Sequence, residues 1–133
     1  MINAQELIIL ISGIISGIII FQTAIVAPSI FKSLDSSQAS PFLRTIFPKL
    51  FRVVAVLGAI ALVIIFVFEI GSISKYLIFT ASFGLPLICG AIVPATNAAR
   101  DSGNDKNFKI LHTMSVLLTM LVLILNLTWI FFI

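Results

Sequence analysis

Residues 50–68 read LFRVVAVLGAIALVIIFVF, and the only charged side chain among them is Arg52. A run of about 20 apolar residues is what an α-helix needs to cross a hydrocarbon core roughly 30 Å thick. Arg52 stands near one end of the run, where its long stem can carry the guanidinium to the interface. The stretch shows no polar–apolar alternation, which argues against a barrel strand, and an open strand would leave its backbone unpaired in lipid. It predicts a membrane-spanning helix.

Three further segments share this character: Leu7–Ala27, Tyr76–Ala98 and Ile110–Phe132. The chain has 133 residues, 60% hydrophobic and 10% charged, more apolar surface than a soluble domain of this size can hide. The expectation is an all-α membrane protein, one four-span domain over residues 1–133, folded as an up-down transmembrane four-helix bundle with spans near 7–27, 50–68, 76–98 and 110–132. Glu6 precedes the first span without a lysine or arginine, and no A-x-A site follows, so that span is read as retained and not as a signal peptide.

The basic residues orient the bundle. Of eight, Lys32, Arg44, Lys49 and Arg52 follow span one, Arg100, Lys106 and Lys109 follow span three, and only Lys75 lies elsewhere. Short cytoplasmic connections retain Lys and Arg, so the 28–49 and 99–109 connections are expected in the cytoplasm and both termini outside, in a bacterial inner membrane. Tyr76 and Trp129 would then share the outer interface. The formal charge of +3 comes from these flanks and predicts no nucleic-acid partner. The same basic face could attract anionic headgroups or solutes.

Within the 28–49 connection, Pro28 is expected to end or bend helix one. Ser40 followed by Pro41 then reads as a hydroxyl cap with proline at the first helical position. Phe42, Leu43, Ile46 and Phe47 give this short helix an apolar stripe, suited to the membrane surface or to the end of the bundle. Pro48 would open span two, and Asp105 would cap helix four.

Several patterns could carry function. Ser12, Gly13, Ser16 and Gly17 form a doubled small-xxx-small seam for close helix contact, within the bundle or between subunits. Gly84, Pro86, Gly90 and Pro94 would kink span three. On span four, His112, Ser115, Thr119 and Asn126 share one face. With Gln22 and Asn97 at similar depth, Gln22, Asn97, His112, Ser115 and Thr119 make a polar cluster toward the cytoplasmic half, either interhelical glue or a ligand site. His112 is the only histidine and Cys89 the only cysteine, so neither a bis-histidine haem nor an intrachain disulfide can form within one chain. No metal site and no cofactor are predicted; haem or metal at His112 is the alternative.

Together these strings resemble the transmembrane protein 205-like family, a four-span membrane domain without an assigned reaction. They are Gln22 with Val26-Ala27-Pro28-Ser-Ile-Phe31, Phe47-Pro48 with Phe51, Pro94-Ala-Thr-Asn97 with Ala98-Ala99-Arg100, and Phe108 followed by Leu111-His112-Thr-Met-Ser115. Thr119 departs from the asparagine often found there in the family. The resemblance implies a polar constellation at the inner face. The expected partners are the lipid bilayer and a second copy or another membrane subunit, and the expected activity is association or small-solute passage, with no enzymatic motif in view.

Overall fold

The computed structural model describes residues 2–132, all but a few of them helical. Helix α1 (Ala4–Ile20) passes through a π-helical turn (Phe21–Val26) into α2 (Ala27–Ser33). Helices α3 (Ser36–Val67), α4 (Ile73–Asp101) and α5 (Asp105–Thr128) follow, and Trp129–Phe132 closes the chain as a 3-10 turn. Four helical stretches are long and apolar enough to cross a membrane: Ala4–Ser33, Ser36–Val67, Ile73–Asp101 and Asp105–Phe131. The connections are tight, so consecutive helices run antiparallel. α3 packs on α4, α4 on α5, and α1 touches both α3 and α5, which closes the ring. This is an all-α four-helix integral membrane bundle.

Local chemistry sets the helix ends. Asn3 accepts from the Glu6 amide at 2.9 Å while the Glu6 carboxylate accepts from the Asn3 amide at 3.0 Å, a reciprocal capping box at the start of α1. The hairpin between α3 and α4 turns through Glu69, held at φ 53, and the Tyr76 ring lies so close over Gly71 that a β-carbon there would collide with it. Between α4 and α5 the chain reverses at Gly103, whose φ of 70 suits a residue without a β-carbon. Asn104, not Asp105, caps α5, accepting from the Asn107 amide at 3.2 Å; Asp105 is the first helical residue.

Two expectations about prolines change. Pro28 does not end helix one: the Ala27 amide reaches back to the Gln22 carbonyl, and the wide turn this creates immediately precedes the proline. Widening the turn relieves the clash that a proline ring makes with the carbonyl four residues back. The second helix starts at Ser36, not Ser40, because Asp35 accepts from the Gln38 amide at 3.1 Å and the Ser37 hydroxyl at 2.6 Å. It then runs unbroken through Pro41 and Pro48. The amphipathic stripe Phe42–Phe47 is thus the first part of α3, continuous with the span it precedes.

The core lies along Ile8, Ile11, Ile15 and Ile19 of α1, with Val54, Ala61 and Ile65 of α3, Phe79 of α4, and Val122 and Trp129 near the end of the chain. Trp129 lies at the same end of the bundle as Tyr76 but faces inward. It is 3% exposed, meets Phe79 edge-on at 5.6 Å, and turns its N–H inward to an acceptor in the bundle. Lipid tails are as apolar as these side chains, so close packing carries the association. α3 approaches α4 closely at Gly58, where an added β-carbon would stand 2.7 Å from backbone atoms of Ser82 and Phe83 and 2.9 Å from the Ser82 carbonyl oxygen. Pro86 has no N–H to offer that carbonyl, which faces the bare Cα of Gly58 instead.

Candidate functional site

Two polar regions occupy opposite ends of the bundle. At the end that carries the termini, Ser12 on α1 donates to both the carbonyl and the side-chain oxygen of Asn126 on α5, each at 2.9 Å. The Asn126 amide nitrogen donates to Ser82 Oγ on α4 and to the Val122 carbonyl, both at 2.8 Å. Trp129 Nε1 donates to Ser12 Oγ at 2.7 Å, and Ser16 donates back to the Ser12 carbonyl at 2.9 Å. Ser12, Ser16, Ser82 and Asn126 are all at most 4% exposed. The network joins three helices and pairs each of its buried groups, the condition under which polar atoms stabilise an apolar interior. Lys75 at this end reaches Gln5 Oε1 at 2.7 Å and the Ile70 carbonyl at 2.8 Å.

The small-residue seam divides between two faces. Ser12 and Ser16 point into the bundle, whereas Gly13 and Gly17 are exposed, and a β-carbon at either glycine would have nothing within 4 Å. Neighbouring positions on an α-helix lie about 100° apart, so adjacent serine and glycine pairs necessarily face different ways. The close helix contact instead uses Ala55, Gly58 and Ala61 of α3, all buried. Their signal in the sequence is small residues at every third place in a run of valine, leucine and isoleucine.

At the basic end, the residues expected to cluster are only partly brought together. Thr119 Oγ1 donates to the Ser115 carbonyl at 2.7 Å, and Cys89 Sγ reaches that carbonyl at 3.7 Å and Thr119 Oγ1 at 4.0 Å. Thr119 also borders a cavity of about 10 Å³, together with Ile19, Phe51, Val54, Pro86 and Val122. That is about the space one water occupies. Gln22, in the π turn, is 6% exposed and its Nε2 is buried with no partner. Asn97 is half-buried and makes no side-chain hydrogen bond among the described residues.

His112 departs furthest from expectation. It is exposed and stacks parallel to Phe108 at 5.6 Å, while Arg100 lies over the other ring at 4.3 Å from its centre. Spacing puts His112 on the same stripe as Ser115, Thr119 and Asn126. At this end, however, helix one leaves α5: α1 packs against α5, but α2 packs on the π turn and α3. The stripe is therefore covered only along its later turns. Among the described residues, no three His, Cys, Asp or Glu side chains gather to hold a metal, and the buried Cys89 lies with Ser115 and Thr119. His112 itself stands on an open surface.

The basic side chains are held differently. Arg44 and Asp101 form a forked ion pair tying the start of α3 to the end of α4, with one arm at 3.0 Å. Arg52 Nε donates to the Pro48 carbonyl at 3.2 Å. Lys32, Lys49, Lys106 and Lys109 are exposed and form no ion pair among the described residues.

Residues 10–77, just over half of the chain, match the family model for a domain of unknown function, DUF4149. No curated protein and no solved structure matches it. The matched stretch runs from α1 through the π turn, α2 and α3 into the start of α4, and so contains the serine–glycine seam, Gln22 and Gly58, whose contact partners Ser82 and Phe83 lie beyond it. The chain belongs to the DUF4149 family and is an integral membrane protein.

Proposed function

We propose that the protein acts by association within the bilayer, offering the outer face of α1 at Gly13 and Gly17 to a second membrane helix. The observation that carries this reading is the division of the seam. The serines are used inside the bundle, while two glycines four residues apart stand open on the surface. Such a step lets a partner backbone approach closely. In this reading the 28–49 and 99–109 connections are cytoplasmic, the membrane is a bacterial inner membrane, and kinship with the transmembrane protein 205-like family accounts for the strings around Gln22, Asn97 and His112. The partner is a second copy or another membrane subunit.

Cross-linking in native membranes tests it. Gly13→Leu/Gly17→Leu is expected to abolish the cross-linked species, whereas Gly84→Leu, at another open glycine, is expected to leave it intact. Unchanged oligomer yield in the double variant would overturn the reading.

A second reading, small-solute passage through Gln22, Asn97, His112, Ser115 and Thr119, is favoured by one observation. The buried Gln22 amide has no partner and belongs to a π turn, a feature frequent at functional sites. The cavity beside Thr119 has room for about one water, and in this reading passage involves a shift of helix one at that turn. Solute flux into vesicles, lost in Gln22→Leu, is the expected result; equal flux in the variant would remove this reading.

A further inference from the structure

Helix one and α5 run antiparallel, and two contacts fix their register. Ser12 donates to Asn126. Seven residues farther along α1 and seven back along α5, Ile19 and Thr119 border the same cavity. A further seven brings Val26 level with His112. Seven residues are close to two α-helical turns, so a helix one that stayed regular would cover His112. The sequence is patterned for that course. Ile15, Ile19, Gln22, Val26 and Ile30 are spaced 4, 3, 4 and 4 apart, which on a continuous α-helix keeps them within an arc of roughly 80°.

The chain leaves this course at Phe21–Val26. A π turn takes up one residue more than an α turn, and at about 100° per residue it carries α2 off the arc. α2, whose buried residue is Ile30, then packs on the π turn and α3, and His112 stands exposed. Pro28 favours this register, because in a regular helix its ring would meet the Ala24 carbonyl four residues back. The same register leaves a polar group unanswered. The Gln22 amide nitrogen is buried in the wide turn without a partner. On the turn of α5 level with it, Ser115 bonds through its carbonyl, and its hydroxyl is free among the described residues. An unmet donor and an uncovered stripe thus arise from one extra residue in one turn.

We propose that helix one is a two-register element. In the wide register of the structure, α2 rests on α3 and leaves the first turns of α5 uncovered. In a tightened, fully α-helical register, α2 lies along those turns, covers His112 and brings the Gln22 amide to Ser115. That this movement closes the inner polar cluster rests on the solute-passage reading; the register itself does not. Double electron–electron resonance on the full chain in nanodiscs reads it without any solute. Spin labels at Ser33→Cys on α2 and Lys106→Cys on α5, both exposed positions, report the gap between the helices in a Cys89→Ala background. Pro28→Ala removes the ring that favours the wide turn and should add a population at shorter distance. Deleting Ala24, an exposed residue of the turn, should leave the shorter population alone. An unchanged distribution in Pro28→Ala, or the longer distance persisting in the deletion, overturns the proposal. Shortened distances beside a solute flux that ignores Gln22→Leu would uphold the two registers and remove only their part in passage.

Discussion

At the end of the bundle that carries the termini, Asn126 is 4% exposed and both its side-chain oxygen and nitrogen are paired. At the basic end Gln22 is buried almost as deeply, and its amide nitrogen meets nothing. The residues carry the same functional group in the same apolar setting. What differs is the backbone around them. Asn126 sits on regular helix where α1, α4 and α5 converge. Gln22 sits in a turn widened by one residue, just before the chain leaves α5. Asn126 is held where three helices meet around it, and Gln22 is an unanswered donor where its helix has lost register with its neighbours; Gln5 Nε2, on regular helix near the N-terminus, is also buried without a partner.

The largest change should come from Gly58, which sets the distance at which Ser82 meets Asn126. Gly58→Ala places a carbon 2.7 Å from the α4 backbone and should cost about 3 kcal/mol in a detergent unfolding titration. An unshifted midpoint would mean that the close α3–α4 approach does not hold the terminal end together. Next comes Asn126→Leu, which removes the side-chain acceptor of Ser12 Oγ and the donor to Ser82 Oγ; a loss of about 1–2 kcal/mol in the same titration is expected.

Gln22→Leu sharpens the contrast because its sign should be opposite. Removing an unpaired buried donor should leave stability unchanged or raise it by up to roughly 1 kcal/mol. A loss as large as that of Asn126→Leu would reveal a partner for Nε2 and erase the distinction between the two ends.

The smallest effect concerns the cap of α3. The Ser37 hydroxyl, then the Gln38 amide, hold the Asp35 carboxyl below its ordinary range. Its folded value is lowered, so its stabilising effect is present above the unfolded carboxylate value and disappears as pH falls through the lowered one. Amide exchange at Gln38 and Ala39 should quicken as the pH falls below the ordinary carboxylate range, while exchange around Asn126 should not.

Hydropathy and the placement of lysine and arginine were readable because each depends only on residue type along the chain. Spans, hairpins and the basic end followed from them. The polar sites were not, because helical spacing says which residues share a face but not which neighbours cover it. His112 and Asn126 lie on one stripe, yet α1 covers only the later turns. Ser12 and Gly13 are adjacent, yet one is inside and the other outside. Pro28 signalled a disturbance in helix one without saying that it would be a wider turn and not a break. Ser40-Pro41 looked like a helix start, but Asp35, five residues earlier, offered a carboxylate with two donors in reach and took the role.

The unbroken course of α3 has a mechanical corollary. At 32 residues it is about 48 Å long, well beyond the roughly 30 Å of hydrocarbon it has to cross. A rod of that length fits a thinner bilayer by leaning. Neither Pro41 nor Pro48 breaks it, so any lean set among Val54, Gly58 and Ala61 swings its Ser36 end sideways. The Arg44–Asp101 fork ties that end to the last turn of α4, so the two helix ends move as one at the basic face.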